Sequence, residues 1–221
     1  SYINLDGYTS HNKLKLEACR TEIRLAKKLR PSIADRLGWR MNEIASHFIV
    51  PCSDEIKYLQ KLFKINKKNV SAIMHGVDSQ FLEKSWNCKS ENLISVGSIC
   101  KRKNSLFLAK LSNELQIPIT FIGKFQEADL NYCRKFALES EKKYVSHREN
   151  VCDDEKIELL LDSKAFINLS LGESGCISVL EAFALGMPVI LPYLPWSYQP
   201  YRNNAFFVNL NSFFNAKSDL K

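Results

Sequence analysis

From residue 93 to residue 208 the apolar positions gather into short runs, separated by longer segments of mixed polarity. The runs at 93–97 (LISVG), 117–123 (IPITFIG), 144–147, 165–169 (AFINL), 188–192 and 205–208 read as strands. The segments between them, at about 104–115, 127–142, 153–162 and 176–185, read as helices. The stretch "LSLGESGCISVLEAFALGMPVILP" shows the unit most clearly. "SVLEAFALG" carries helix formers and stops at Gly186, with Pro188 just beyond, and "MPVILP" is the next strand. Strand, turn, helix, strand is how a parallel sheet is written. Five or six strands joined by single helices predict an α/β fold with a Rossmann-like, doubly wound parallel sheet.

The first part of the chain is patterned differently. Leu16, Cys19, Ile23, Ala26 and Leu29 recur at helical spacing within "KLKLEACRTEIRLAKKLR", with Lys and Arg on the other faces. Helices are predicted at about 13–30 and 33–46, then a strand at "HFIVPC", then a helix over "SDEIKYLQKLFKI" with Ser53 as its N-cap. "VSAIMHGVD" reads as a strand and a turn. Residues 82–92, "LEKSWNCKSEN", are polar and aperiodic, which predicts the joint between a partial N-terminal α/β segment, 1–82, and a C-terminal domain, 83–221.

Composition narrows the classes. A chain of 221 residues with 45% hydrophobic content can bury a sizeable core, which excludes wholesale disorder. No apolar run approaches the ~20 residues of a membrane-spanning helix, and the first residues lack a secretion pattern. The seven cysteines are scattered, without a Cys-x-x-Cys pair, as expected of reduced thiols in a cytoplasmic protein. The net charge of +7 favours acidic partners. The basic helix at 13–30 reads first as a surface helix on its own domain; the sharper reading is a peripheral contact at the inner face of a membrane. Aromatics do not interleave with its basic residues, so nucleic acid is not an expected partner. Clustered carboxylates and paired histidines are lacking, so no metal is expected. The chain opens Ser-Tyr-Ile, as a fragment or a processed chain would.

In a doubly wound sheet, ligands bind outside the carboxyl ends of the strands. Three turns there carry candidate chemistry. "VGSICKRKN" ends a strand at Gly97 and continues through Ser98 to Lys101, Arg102 and Lys103, cations suited to a phosphate or diphosphate. "FIGK" offers Gly123, where a backbone can approach a ligand. "GESGCIS" offers the backbone N–H groups of Ser174, Gly175, Cys176 and Ile177 at a helix start, with Glu173 beside them and Glu181 on the helix.

"ESGCISVLEAFALGMPVI" resembles the E-x7-E signature of the retaining glycosyltransferases of family 4, which have the two-domain GT-B fold. "IASHFIVPCSDEIKYLQ" is similar to that family's strand and helix near the end of the first domain. "VSAIMHGVDSQFL" is similar to its interdomain segment, with His75 where Asn is common. "LISVGSICKRKN" resembles its Val-Gly-Arg-x4-Lys-Gly turn. The resemblance spans about residues 40–208 in the family's order. It implies a hexosyl transferase working with retention on a nucleotide-diphosphate sugar, with a glycan or lipid-linked acceptor and without a cofactor or metal.

Residue by residue, it implies that Glu173 accepts hydrogen bonds from the donor sugar, helped by the N–H groups of Gly175 to Ile177. Glu181 takes the ribose hydroxyls, and Lys103 neutralises the diphosphate. Glu173 and Lys103 are thus the expected catalytic pair. Gly97, Ser98, Arg102, Gly123, Ser174, Gly175, Cys176, Ile177 and Glu181 complete the donor site. Ser98 stands where the family has an arginine, and Arg102 is the candidate to replace it. His11 is a candidate for the end of an acceptor site. The alternative function is a catalytically inactive nucleotide-binding module acting as an assembly or regulatory partner. A dinucleotide oxidoreductase fits the fold but lacks G-x-G-x-x-G after any strand.

Overall fold

The computed structural model describes residues 44–126, 129–173, 175–211 and 213–220, with isolated positions between 21 and 29. Most of the predicted helices at 13–30 and 33–46, together with His11 and Ser174, lies outside the described residues. The chain forms two compact units, Ser1–His75 and Gly76–Lys221.

In the first unit, strand β1 (Phe48–Val50) pairs in parallel with β2 (Val70–Ala72), and helix α1 (Ser53–Phe63) makes the crossover. Ile56, Leu59 and Phe63 recur on one face of α1 and pack on Val50, Ile65 and Val70. The N-cap is Cys52, not Ser53, and no side chain caps the helix. Ser53 already has helical backbone, so its hydroxyl does not sit where a cap must. Lys64 ends α1 in the left-handed region.

The second unit is a six-stranded parallel sheet of strands β3 (Leu93–Val96), β4 (Ile119–Ile122), β5 (Val145–Arg148), β6 (Ala165–Ile167), β7 (Val189–Pro192) and β8 (Phe206–Val208). Their spatial order is β5-β4-β3-β6-β7-β8. Five helices connect them: α2 (Ser105–Leu115), α3 (Leu130–Ser140), α4 (Asp153–Asp162), α5 (Ile177–Ala184) and α6 (Pro195–Tyr201); α7 (Phe213–Asp219) follows β8. Side chains alternate across each strand, and this sorts them into two cores. Ile94, Ile122, Phe166, Val189 and Leu191 pack with Ile157 and Leu160 of α4 and Val179 and Ala182 of α5. Ile119, Phe121 and Ile167 pack with Leu108 and Leu111 of α2, Phe136 of α3 and Ala216 of α7. Each of the Val, Leu, Ile and Phe side chains among them contributes about 1.5–3 kcal/mol by leaving water.

The polar stretch 82–92, expected to be the joint, lies against the second unit. The Trp86 indole Nε1 donates to the Ser163 carbonyl at 2.8 Å, and its backbone N–H donates to the Leu185 carbonyl at 2.8 Å. Phe81 is 1% exposed within the first of the two cores. The units therefore meet at His75–Gly76, ahead of both aromatics. Two helices, α6 and α7, are additional to the predicted elements. Pro195 opens α6 at a position where its missing N–H costs nothing.

Candidate functional site

The strand order reverses between β3 and β6, so α2 leaves β3 toward one face while α5 follows β6 on the other. The loops after these two strands open a crevice at the carboxyl edge, where open α/β sheets bind ligands. The candidate residues lie on these loops.

The loop after β3 begins at Gly97, with φ +149°. A Cβ there would meet Lys103 Cε at 3.1 Å and Nζ at 3.3 Å, so the missing side chain is the space that Lys103 crosses. Gly123, at the end of β4, has φ +150°, and a Cβ on it would lie 2.2 Å from the Gly97 carbonyl oxygen. Its smallness therefore serves the packing of two neighbouring turns. Beyond the glycines the two chains meet again in a bridge between Ile99 and Phe125. Ile99 is fully buried and anchors the basic turn from below, whereas Ser98 is exposed.

The loop after β6 is held by polar groups. Asn168, 3% exposed, accepts the Ser170 N–H at 2.9 Å and donates to the Cys176 sulfur at 3.1 Å. The Trp196 indole N–H donates to the Ser170 carbonyl at 3.0 Å. The Leu171 N–H donates to the Arg102 carbonyl at 2.9 Å, and Arg102 Nη1 donates to the Gly172 carbonyl at 2.9 Å, which ties the two loops together. Ser178 Oγ, in the first turn of α5, donates to the Val96 carbonyl at the end of β3. Among the described residues no backbone partner takes the N–H of Gly175, Cys176 or Ile177.

Glu173 sits between the two cations. Its Oε2 accepts from Arg102 Nη1 at 2.9 Å, and Lys103 Nζ lies 2.6 Å from Oε1. The carboxylate side chain is only 9% exposed. Burial alone pushes its pKa up; Lys103 first, then Ser170 and Arg102, outweigh this and bring it below the ordinary value. The group is a held anion facing two cations. Cys176 beside it is buried, and burial together with the Glu173 charge raises its thiol pKa, so it stays neutral.

Glu181 lies one turn into α5 and is also nearly buried, at 12% exposure. Its partner went unread in the sequence: Lys156, in the first turns of α4, places Nζ 3.1 Å from Oε1. The same ammonium is 3.0 Å from Asp153 Oδ1 and 5.1 Å from the centre of the Phe81 ring. Burial lowers the Lys156 pKa, but the two carboxylates more than reverse this and leave it raised. The structure thus brings Gly97, Arg102, Lys103 and Glu173 together, with Gly175 and Cys176 leading into the helix that carries Ile177 and Glu181. Ser98 is exposed beside Gly97, and Gly123 abuts the Gly97 carbonyl.

Residues 77–192, just over half of the chain, match the family model described as glycosyl transferases group 1. No curated protein matches the chain by sequence. Among solved structures it is similar to the pneumococcal O-GlcNAc transferase GtfA in complex with UDP and GlcNAc, with TM-score 0.64 and 16% identity over 81% of this chain and 38% of that one. It is similar to a glycosyltransferase from Rickettsia africae ESF-5, with TM-score 0.65 and 13% identity over 96% of this chain and 71% of that one. It is also similar to a trehalose-6-phosphate synthase studied for glycosyl transfer with retention, with TM-score 0.66 and 10% identity over 79% and 52%. At these identities the likeness is one of fold. The chain spans 38% of the pneumococcal transferase and 52% of the synthase.

Proposed function

The chain belongs to the group 1 glycosyl transferases, and from that premise we propose that it binds the nucleotide-diphosphate sugar of a transferase moving a hexosyl unit, with retention and without a metal, to a glycan or lipid-linked glycan. The observation that carries this reading is the meeting of Lys103 and Arg102 with Glu173 at the switch point of the sheet. Two cations beside the start of a helix suit a diphosphate, whose negative charge grows as the sugar departs. A buried carboxylate beside them suits sugar hydroxyls, which donate to it. Glu173 pairs with both cations, so a diphosphate takes Lys103 and Arg102 as it enters and releases Glu173 toward the sugar. Glu181 accepts the ribose hydroxyls. Arg102, close to Lys103, supplies the second positive charge where Ser98 cannot. A peripheral membrane contact through the basic segment 13–30 suits a lipid-linked acceptor.

Titration calorimetry with UDP, GDP and ADP, each in EDTA and in magnesium, tests the reading. One of the three is expected to bind equally in both buffers. A strict requirement for magnesium removes the metal-free mechanism, and no binding of any of the three overturns the proposal.

A further inference from the structure

Helices α4 and α5 lie side by side in one core, and both begin at the carboxyl edge of the sheet. Their closest polar link is Lys156 to Glu181. A carboxylate exposed by only 12% needs a partner to stay charged. Lys156 supplies it from one side: it takes Oε1, and among the described residues no side chain takes Oε2. The lysine is itself fixed, by Asp153 at 3.0 Å and by the Phe81 ring beneath it. Two carboxylates and a ring already fill its coordination, so it is poorly placed to serve as a mobile cation for phosphate. It is well placed to hold one oxygen of Glu181 while the other remains available.

We propose that Lys156 is a positioning residue for the nucleotide: it locks Glu181 through Oε1 so that Oε2 is aimed at the vicinal hydroxyls of the ribose. This rests on the reading of Glu181 as the ribose acceptor. The lysine touches no substrate, and it sets how strongly the site tells a ribonucleotide from one lacking those hydroxyls. A merely structural salt bridge between the helices would instead lower the affinity for both ligands alike, or for neither.

The test uses the whole chain, the nucleoside diphosphate among UDP, GDP and ADP that binds, and its 2′,3′-dideoxy analogue. The wild type is expected to bind the ribonucleotide about tenfold or more tightly than the analogue, as loss of hydrogen bonds to a charged group implies. In Lys156→Met the ribonucleotide is expected to weaken to within about threefold of the analogue, with the analogue itself little changed. Lys156→Arg should restore most of the discrimination. Lys156→Leu, which likewise removes the donor, covers the case in which the Met variant does not fold, and thermal melts check each variant. Discrimination that persists in Lys156→Met or Lys156→Leu overturns the positioning role and leaves Glu181 as the ribose acceptor. A wild type that binds both ligands equally overturns the ribose reading, and this inference with it.

Discussion

Glu173→Gln is the substitution that most directly tests what the crevice is built to hold. Glutamine keeps the shape of the side chain and removes the charge that now pairs with Lys103 at 2.6 Å and Arg102 at 2.9 Å. An incoming diphosphate competes with that charge for the same two cations and is repelled by it. Taking about 8 Å between the carboxylate and the diphosphate, and an effective dielectric constant of ~20, one unit of repulsion is about 2 kcal/mol. Salt screening and the side chain's reorientation reduce this, so nucleotide diphosphate is expected to bind about three- to thirtyfold more tightly to the variant. The intact sugar nucleotide should gain much less, because its hydroxyls lose their acceptor. Calorimetry with both ligands at low and high salt measures the difference. A diphosphate affinity that is unchanged or weaker in Glu173→Gln refutes the reasoning. The stability effect has its own signature. Because the Glu173 pKa is lowered on folding, its contribution is fully present above the ordinary carboxylate value of 4.5 and is lost as pH falls through the folded value. The wild type should therefore exceed the variant in stability at neutral pH, and the gap should close on acidification below about 4.5.

Two other substitutions separate phosphate chemistry from scaffolding. Lys103→Ala should weaken nucleotide diphosphate by about 1.5–3 kcal/mol while leaving the nucleoside nearly unaffected, and an equal loss for both would place Lys103 in the fold alone. Gly123→Ala would set a Cβ 2.2 Å from the Gly97 carbonyl oxygen at a φ that alanine avoids. It should cost about 2 kcal/mol or more in urea denaturation, and wild-type stability would show that the two turns are looser than they look.

The sheet was legible because most of its strands are largely apolar runs closed by a turn residue, β5 (Val-Ser-His-Arg) being the exception. Leu93–Val96 ends at Gly97, Ile119–Ile122 ends at Gly123, and Val189–Pro192 follows the Gly186 turn. The acidic pair and the basic turn were legible too, since loops after successive parallel strands must gather at one edge. Pairings between distant segments were not. Lys156 and Glu181 are 25 residues apart, and "DDEKIELLLD" reads as an ordinary helix start with a solvated lysine. Only the packing of α4 against α5 shows that the ammonium turns inward over Phe81. The packing role of Gly123 was hidden for a related reason, because a glycine at a strand end signals a close approach without saying what approaches, and here the Gly97 carbonyl does. The joint between the units was misplaced because polarity marks exposure of a segment and not its attachment. Two aromatics, Phe81 and Trp86, fasten the stretch to the second unit.

These misses share a consequence for the site. Phe81 belongs to the second unit, and its ring lies under the ammonium that pairs with Glu181. The segment just after the boundary at Gly76 is therefore part of the support of Glu181, not a passive tether. A chain cut at residue 83, where polarity alone places the boundary, would lose that ring. It would expose apolar surface on the first core, at about 25 cal/mol for each Å² uncovered. It would also leave Lys156 with Asp153 and Glu181 but with no floor. A domain begun at Gly76 keeps all three contacts, so the boundary drawn by the packing is also the one that the proposed nucleotide chemistry requires.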